Sequence, residues 1–201
     1  MKMFAMAAKA LQMISSTFIL MSSLILTFPL DGIIMDVLRI LNVTPIQFHP
    51  NSWAAMQAFR LPCKMLNLKA SAQNFLYFYC TRPENRVGWL SLVGQPKQCV
   101  LAPYIASYKH FKEWFFRVGI EEEGRKYFYD GDTPRFSFYW TNTPAKISSW
   151  SKAMMPEEEQ RTISILEGFS NKLPTRKLLD LYMSSRPMDE FDGKIYFIVY
   201  C

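Results

Sequence analysis

Residues that carry chemistry are scarce in this chain of 201 residues. It has two histidines, His49 and His110, and four cysteines, Cys63, Cys80, Cys99 and Cys201, with no C-x-x-C pair. That spacing excludes zinc fingers and zinc knuckles. Two histidines without acidic partners at ligand spacing give a metal site little support. No G-x-x-x-x-G-K-[ST], G-x-G-x-x-G, H-E-x-x-H or G-x-S-x-G stretch occurs, so phosphate-loop, dinucleotide, zincin and nucleophile-elbow chemistries lack their signatures. The acidic residues concentrate at helix starts and in the turn Asp130-Gly131-Asp132. EF-hand spacing and the paired carboxylates of a two-metal transposase or integrase site are therefore unsupported. No cysteine sits beside a histidine as nucleophile and base. The expectation is a non-enzymatic protein with no catalytic residue, no metal, no cofactor and no small-molecule substrate. Sparse cysteine fits free thiols in a reducing compartment, cytoplasm or nucleus, better than a disulfide framework, with a Cys80–Cys99 bridge left open.

What is present is apolar and aromatic. Half of the residues are hydrophobic and 15% are aromatic, enough to bury the core of one domain with appendages. Charge is uneven. Residues 60 to 117 hold nine cations, Arg60, Lys64, Lys69, Arg82, Arg86, Lys97, Lys109, Lys112 and Arg117, against Glu84 and Glu113, a net of +7. The remainder carries fourteen basic and fifteen acidic residues. A local excess of this kind points to a polyanionic partner or to a solvated basic face. Aromatic residues interleave with it: Tyr77, Tyr79 and Trp89 near Arg82 and Arg86, then Tyr104, Tyr108, Phe111 and Trp114 near Lys109 and Lys112. Cations beside aromatic faces suit single-stranded RNA or DNA, by phosphate contact and stacking; aromatics in strands are also ordinary core. The candidate nucleic-acid residues are Arg82, Arg86, Trp89, Lys97, Lys109, Lys112 and Arg117.

From Ala10 to Leu30 the chain carries no charge, the length of a membrane span. Gln12 and several Ser and Thr dilute it, and no small-x-small cleavage site ends it. Three readings stand side by side: a transmembrane or signal-anchor segment that would tether the protein to a membrane, a buried helix, or sequence upstream of the domain proper.

Beyond it, "DGIIMDVLRILNVTP" predicts a helix capped by Asp31, with Ile33, Ile34, Val37, Leu38 and Leu41 on one face and Asn42 with Pro45 as its stop. In "HPNSW" Pro50 fixes the start of a second helix, Asn51 is the expected N-cap, and Trp53, Met56, Phe59, Cys63 and Leu66 share a face. Pro62 should kink or divide it. "FLYFYC", "VGWLSLVG" and "EWFFRVGI" read as strands, and "RKYFYDGDTPRFSFYWT" as a hairpin with Phe136, Phe138 and Trp140 on one face. Connections too short for crossover helices make the sheet antiparallel. Glu157, Glu158 and Glu159 behind Pro156 start a further helix with Ile163, Leu166 and Phe169 inside, and "PTRKLLDLYMSS" gives another. "GKIYFIVYC" is β-prone, either an edge strand or the end of a truncated frame. The fold class is α+β: N-terminal helices, a central antiparallel aromatic-rich sheet and C-terminal helices. Asn51, Trp53, Trp114 and Trp140 are its expected structural residues.

The order of landmarks "FPLDGIIMDVLRILNVTPIQFHPNSWAAMQAF", "FLYFYC…GWLSLVGQP", "SYKHFKEWFFRV" and "FSFYWT" resembles the N-terminal domain of plant retrotransposon-derived proteins known as the putative gypsy-type transposon domain. Its most specific element, P-x-Q-x-x-P-N-S-W, is matched by Pro45, Gln47, Pro50, Asn51, Ser52 and Trp53. The likeness covers residues 26 to 170, leaving 1–25 as an apolar extension and 171–201 as a helix and β-prone tail. The resemblance implies a gag-like or otherwise uncharacterised product of a long-terminal-repeat element, with no established catalytic residues to carry over; the expectation is an interaction or assembly module with self-association. Many members are longer, with charged or coiled-coil regions downstream, and this sequence stops before any such region. Without a zinc knuckle, any nucleic-acid role rests on the basic block; the alternative is a scaffold with no such role.

Overall fold

The computed structural model describes the backbone of residues 16–20, 30–84, 88–108, 115–120, 122–184 and 195–200, and the side-chain surroundings of residues 30–84, 88–108, 120, 122 and 124–181. Its class is α+β. The first helix, α1 (Gly32–Leu41), follows its sequence closely: Asp31 accepts from the Ile33 N–H at 3.0 Å, and Ile33, Ile34, Val37, Leu38 and Leu41 are buried. Asn42 stops it in the left-handed conformation, φ 51°, a turn that asparagine tolerates better than most residues. A 3-10 turn, Pro45–Gln47, leads into α2 (Pro50–Met65).

Helix α2 is the centre of the molecule. Every residue from Ser52 to Phe59 is buried, so it has no polar face, as expected of a helix enclosed on all sides. Leu66, expected on its inner face, is instead exposed just beyond the helix. Pro62 neither divides nor ends the helix, which continues to Met65. It costs one ladder bond near the C-terminal end, and the buried Leu61 and Cys63 on either side keep the turn in place.

"FLYFYC" is not one strand. Helix α3 (Ala72–Phe78) takes most of it, with Ser71 Oγ accepting from the Asn74 N–H at 3.1 Å, and strand β2 begins only at Tyr79. Phe75, Leu76, Tyr77 and Phe78 are all buried. With core on every side no 3.6-residue alternation shows, and packing overrides the strand preference of aromatics.

Among the described residues the strands form three small antiparallel sheets rather than one central sheet. β2 (Tyr79–Pro83) pairs with β3 (Leu90–Gly94), Tyr79 opposite Gly94 and Arg82 opposite Ser91. β4 (Phe115–Ile120) lies between β1 (Ser16–Leu20) and β7 (Ile195–Tyr200). The expected long hairpin is short: after α4 (Arg125–Phe128), β5 (Tyr129–Asp130) and β6 (Thr133–Pro134) pair across Gly131, φ 57°. Pro134 has no N–H to extend the ladder. Phe136 and Phe138 are buried as expected, edge to face at 5.2 Å, but outside any strand.

Helices α5 (Glu157–Glu167) and α6 (Thr175–Ser184) complete the fold. Glu157, Glu158 and Glu159 occupy the first turn of α5, while Phe169 lies past its end, 38% exposed. The tail strand β7 is an edge strand. Part of the uncharged N-terminal run is also strand, since Ser16–Leu20 is β1. Among the described residues no helix is long and apolar enough to cross a membrane. Cys63, Cys80 and Cys99 are free thiols, so no Cys80–Cys99 bridge exists.

Candidate functional site

The N-terminal end of α2, the strand β3 and the segment 99–108 enclose a cleft of about 370 Å³. Its construction starts at His49. The imidazole Nδ1 accepts from the Asn51 N–H at 3.1 Å, so His49 caps α2 and Asn51 does not, contrary to the sequence expectation. A histidine nitrogen can replace the usual hydroxyl or amide here because Pro50 sets the backbone angle that brings it over the turn.

Asn51 is thereby freed for a different task. Its Nδ2 donates to the Ala106 carbonyl at 3.4 Å, and its Oδ1 accepts the Ala106 N–H at 3.3 Å. Ser52 Oγ accepts the Leu92 N–H at 2.9 Å and the His49 N–H donates to the Leu90 carbonyl at 2.9 Å, fastening β3 to the same helix end. The segment 99–108 forms a strap. Ala102 and Leu173 are joined by an N–H to O bond of 2.9 Å, the Leu173 N–H reaches the Val100 carbonyl at 2.8 Å, and Thr175 donates to the Ala102 carbonyl. Tyr104 and Tyr108 touch through their hydroxyls at 3.4 Å, and Arg176 stands 5.5 Å from the Tyr104 ring centroid. Burial and the Tyr104 hydroxyl push the Tyr108 phenol well above its usual value.

Behind the cleft, Gln47 ties three segments together. Its Nε2 donates to Gly88 O at 2.6 Å and Thr141 O at 2.7 Å, while its Oε1 accepts from Thr44 N–H at 3.2 Å and Thr141 N–H at 3.1 Å. All four hydrogen-bonding positions of the amide are used.

Arg82 and Lys172, both exposed, line the cleft together with His49, and none of the described residues lining it is acidic. Lys172 Nζ donates to Pro96 O at 3.3 Å, which sets it next to the exposed Lys97. Arg82 and Lys172 thus stand at one opening, and Lys97 follows directly on the Pro96 that Lys172 holds.

Of the expected nucleic-acid residues, Arg82 and Lys97 are exposed, and Arg82 lines the cleft. Arg86, Lys109 and Lys112 lie outside the described residues, as does the structural candidate Trp114. Arg117 sits in β4 opposite Phe18 and Ile198, with only its backbone described. Trp89 is half-buried, edge to face with Trp140 at 5.1 Å and 83°, which takes it out of use as an open stacking platform. Tyr77 and Tyr79 are core residues, not exposed ones. The Tyr77 hydroxyl donates to Glu167 at 2.6 Å, and burial followed by that carboxylate raises its phenol to about 12. Tyr79 is pushed well up by burial and by its neighbour Cys99. Burial also lifts the Cys63 thiol to about 11, which leaves almost no thiolate at neutral pH. Trp53, 1% exposed, packs edge to face on Phe48 at 5.9 Å. Among the described residues no group of three His, Cys, Asp or Glu side chains is placed to hold a metal ion.

Sequence reasoning missed Lys172, and it picked out Gln47 only as part of a matched phrase, without its role as a tie. Lys172 belongs to a stretch of balanced charge, and only the pairing of Leu173 with the strap brings it to the cleft. No family model matches the chain, and neither does any curated protein or solved structure.

Proposed function

We propose that this protein is a retroelement-derived, non-enzymatic binding and assembly module of gag-like type that holds single-stranded RNA or DNA without sequence preference. The reading of its origin rests on the P-x-Q-x-x-P-N-S-W likeness of residues 45 to 53. The reading of its activity rests on one observation: Arg82 and Lys172 are exposed at a single opening, the exposed Lys97 follows the Pro96 to which Lys172 is bonded, and no described residue that lines the opening is acidic. Exposed cations gathered in this way attract a polyanion and release its counterions on contact. Because Tyr77 and Tyr79 are spent in the core, phosphate contact at the rim supplies most of the attraction.

Binding of this kind is micromolar or weaker at physiological salt. Fluorescence anisotropy with labelled single-stranded 20-mers of mixed and homopolymeric sequence tests it. The expected result is comparable affinity for all sequences, weakened uniformly in an Arg82→Ala, Lys97→Ala double variant. Absence of binding at low salt would leave the scaffold reading, a module that assembles with proteins alone.

A further inference from the structure

The cleft has an interior as well as a basic rim. Phosphate contact needs only surface cations, yet about 370 Å³ of space lies behind these. Its walls mix buried apolar side chains, with Ala55, Leu92 and Leu101 6%, 8% and 1% exposed, and hydrogen-bonding ones, with Asn51, Ser52, Ser91 and Thr175 beside them. Tyr104 contributes an aromatic ring to the lining.

The two lining cations stand at opposite ends of β3. Arg82 is paired with Ser91, and Lys172 is bonded to the carbonyl of Pro96, just past Gly94. Ser91 to Gly94 spans about 10 Å at roughly 3.3 Å per residue. An extended polyanion crossing the mouth therefore meets one cation before the cavity and another after it.

We propose that the cleft takes one unstacked base of a single strand, while the phosphates on either side of that nucleotide are held by Arg82 and Lys172. This deepens the nucleic-acid reading above and rests on it. A pocket with uncharged apolar and hydrogen-bonding walls and cations at its edges matches a nucleotide, whose flat base is uncharged, carries donors and acceptors on its rim, and whose charge lies along the backbone. An acidic peptide fits less well, because its charges sit on the side chains that would have to enter the cleft, past the two cations at its edges and against the buried Ala55, Leu92 and Leu101.

The test compares oligothymidylate with an oligomer of equal length and charge in which every nucleotide is abasic, measured by anisotropy on the full chain. The expected result is about tenfold weaker binding of the abasic oligomer, the size of one lost base contact, with the same dependence on salt. Ala102→Phe, which fills the cleft from a half-buried lining position without changing charge, should bring both oligomers to the weaker affinity while the melting temperature holds. Equal affinity of the unaltered protein for the two oligomers would overturn the base pocket and leave phosphate binding intact. Tighter binding of poly-glutamate than of oligothymidylate at equal charge concentration would overturn it in favour of a peptide. No binding by any oligomer would overturn both readings together. Should Ala102→Phe fail to fold, the abasic comparison on the unaltered protein decides alone.

Discussion

Asn51 holds Ala106 through both ends of its amide, Nδ2 to the carbonyl at 3.4 Å and Oδ1 to the N–H at 3.3 Å. A residue that could have capped its own helix instead docks the strap 99–108 onto that helix, and the cap passes to His49. The two roles separate by mutation. Asn51→Ala should cost on the order of 1 kcal/mol, the net worth of partly exposed hydrogen bonds, and should speed hydrogen exchange at Ala106 while the α2 amides stay protected. Faster exchange in the first turn of α2 instead would return the cap to Asn51.

His49→Ala should also cost about 1 kcal/mol, the usual loss of an N-cap, read by denaturant unfolding, with first-turn α2 amides exchanging faster. A change indistinguishable from zero would mean that Pro50 alone fixes the helix start.

Gly88 lies at φ +72°, and a Cβ there would sit 2.5 Å from the Thr141 carbonyl and 2.6 Å from Trp140 Nε1. Gly88→Ala combines backbone strain with a clash against the segment that Gln47 binds, so several kcal/mol should be lost. Gln47→Ala, which strands buried backbone groups at Thr44, Gly88 and Thr141, should lose on the order of 3 kcal/mol. Since both changes unmake one junction, the double variant should be clearly less than additive in thermal unfolding. Additive losses would show that the two residues act independently.

How far the sequence foretold this arrangement varied from element to element. Helix α1 was legible throughout, because a half-buried helix displays its cap, its stripe and its stop in the order of the residues. Helix α3 was not, since a helix buried on all sides shows no period. The phrase P-x-Q-x-x-P-N-S-W was visible, but its physical meaning was not. Gln47 bonds to Thr141, 94 residues away, and Ser52 to Leu92, 40 residues away. At the cleft, Arg82 and Lys97 announced themselves as members of a basic block. Lys172 did not, because its place beside Pro96 follows from a pairing that local sequence cannot express.

Trp53, fully enclosed against Phe48, should cost about 3 to 5 kcal/mol when truncated to Ala, as large core deletions do. Chemical denaturation measures it directly. A variant as stable as the parent would remove α2 from the centre of the core.

Tyr77, Glu167 and Lys152 form a chain joining α3 to α5, with Lys152 Nζ 2.7 Å from the Glu167 carboxylate. Burial raises the Glu167 carboxyl, but hydrogen bonds from Lys152 and Tyr77 outweigh it and the group lies below its usual range. Its contribution is present above the unfolded-state pKa and is lost as pH falls through the lowered folded value. Tyr77 works in the opposite direction. Its phenol is raised to about 12, so its contribution is complete below about 10 and disappears as pH climbs from there to the folded value. Thermal melts should show Tyr77→Phe flattening the alkaline fall in stability and weakening the acid one. An unchanged alkaline limb would dissociate Tyr77 from it.

The most direct measurement is the slope of log affinity against log salt for a single-stranded oligonucleotide, taken on the full chain and on an Arg82→Ala, Lys97→Ala, Lys172→Ala variant. Each neutralised phosphate contributes about 0.7 to that slope, so removing all three rim cations should make it shallower by about two units with no change in sequence preference. A slope unaltered in the triple variant, or no binding by the parent at low salt, would contradict a phosphate-holding rim.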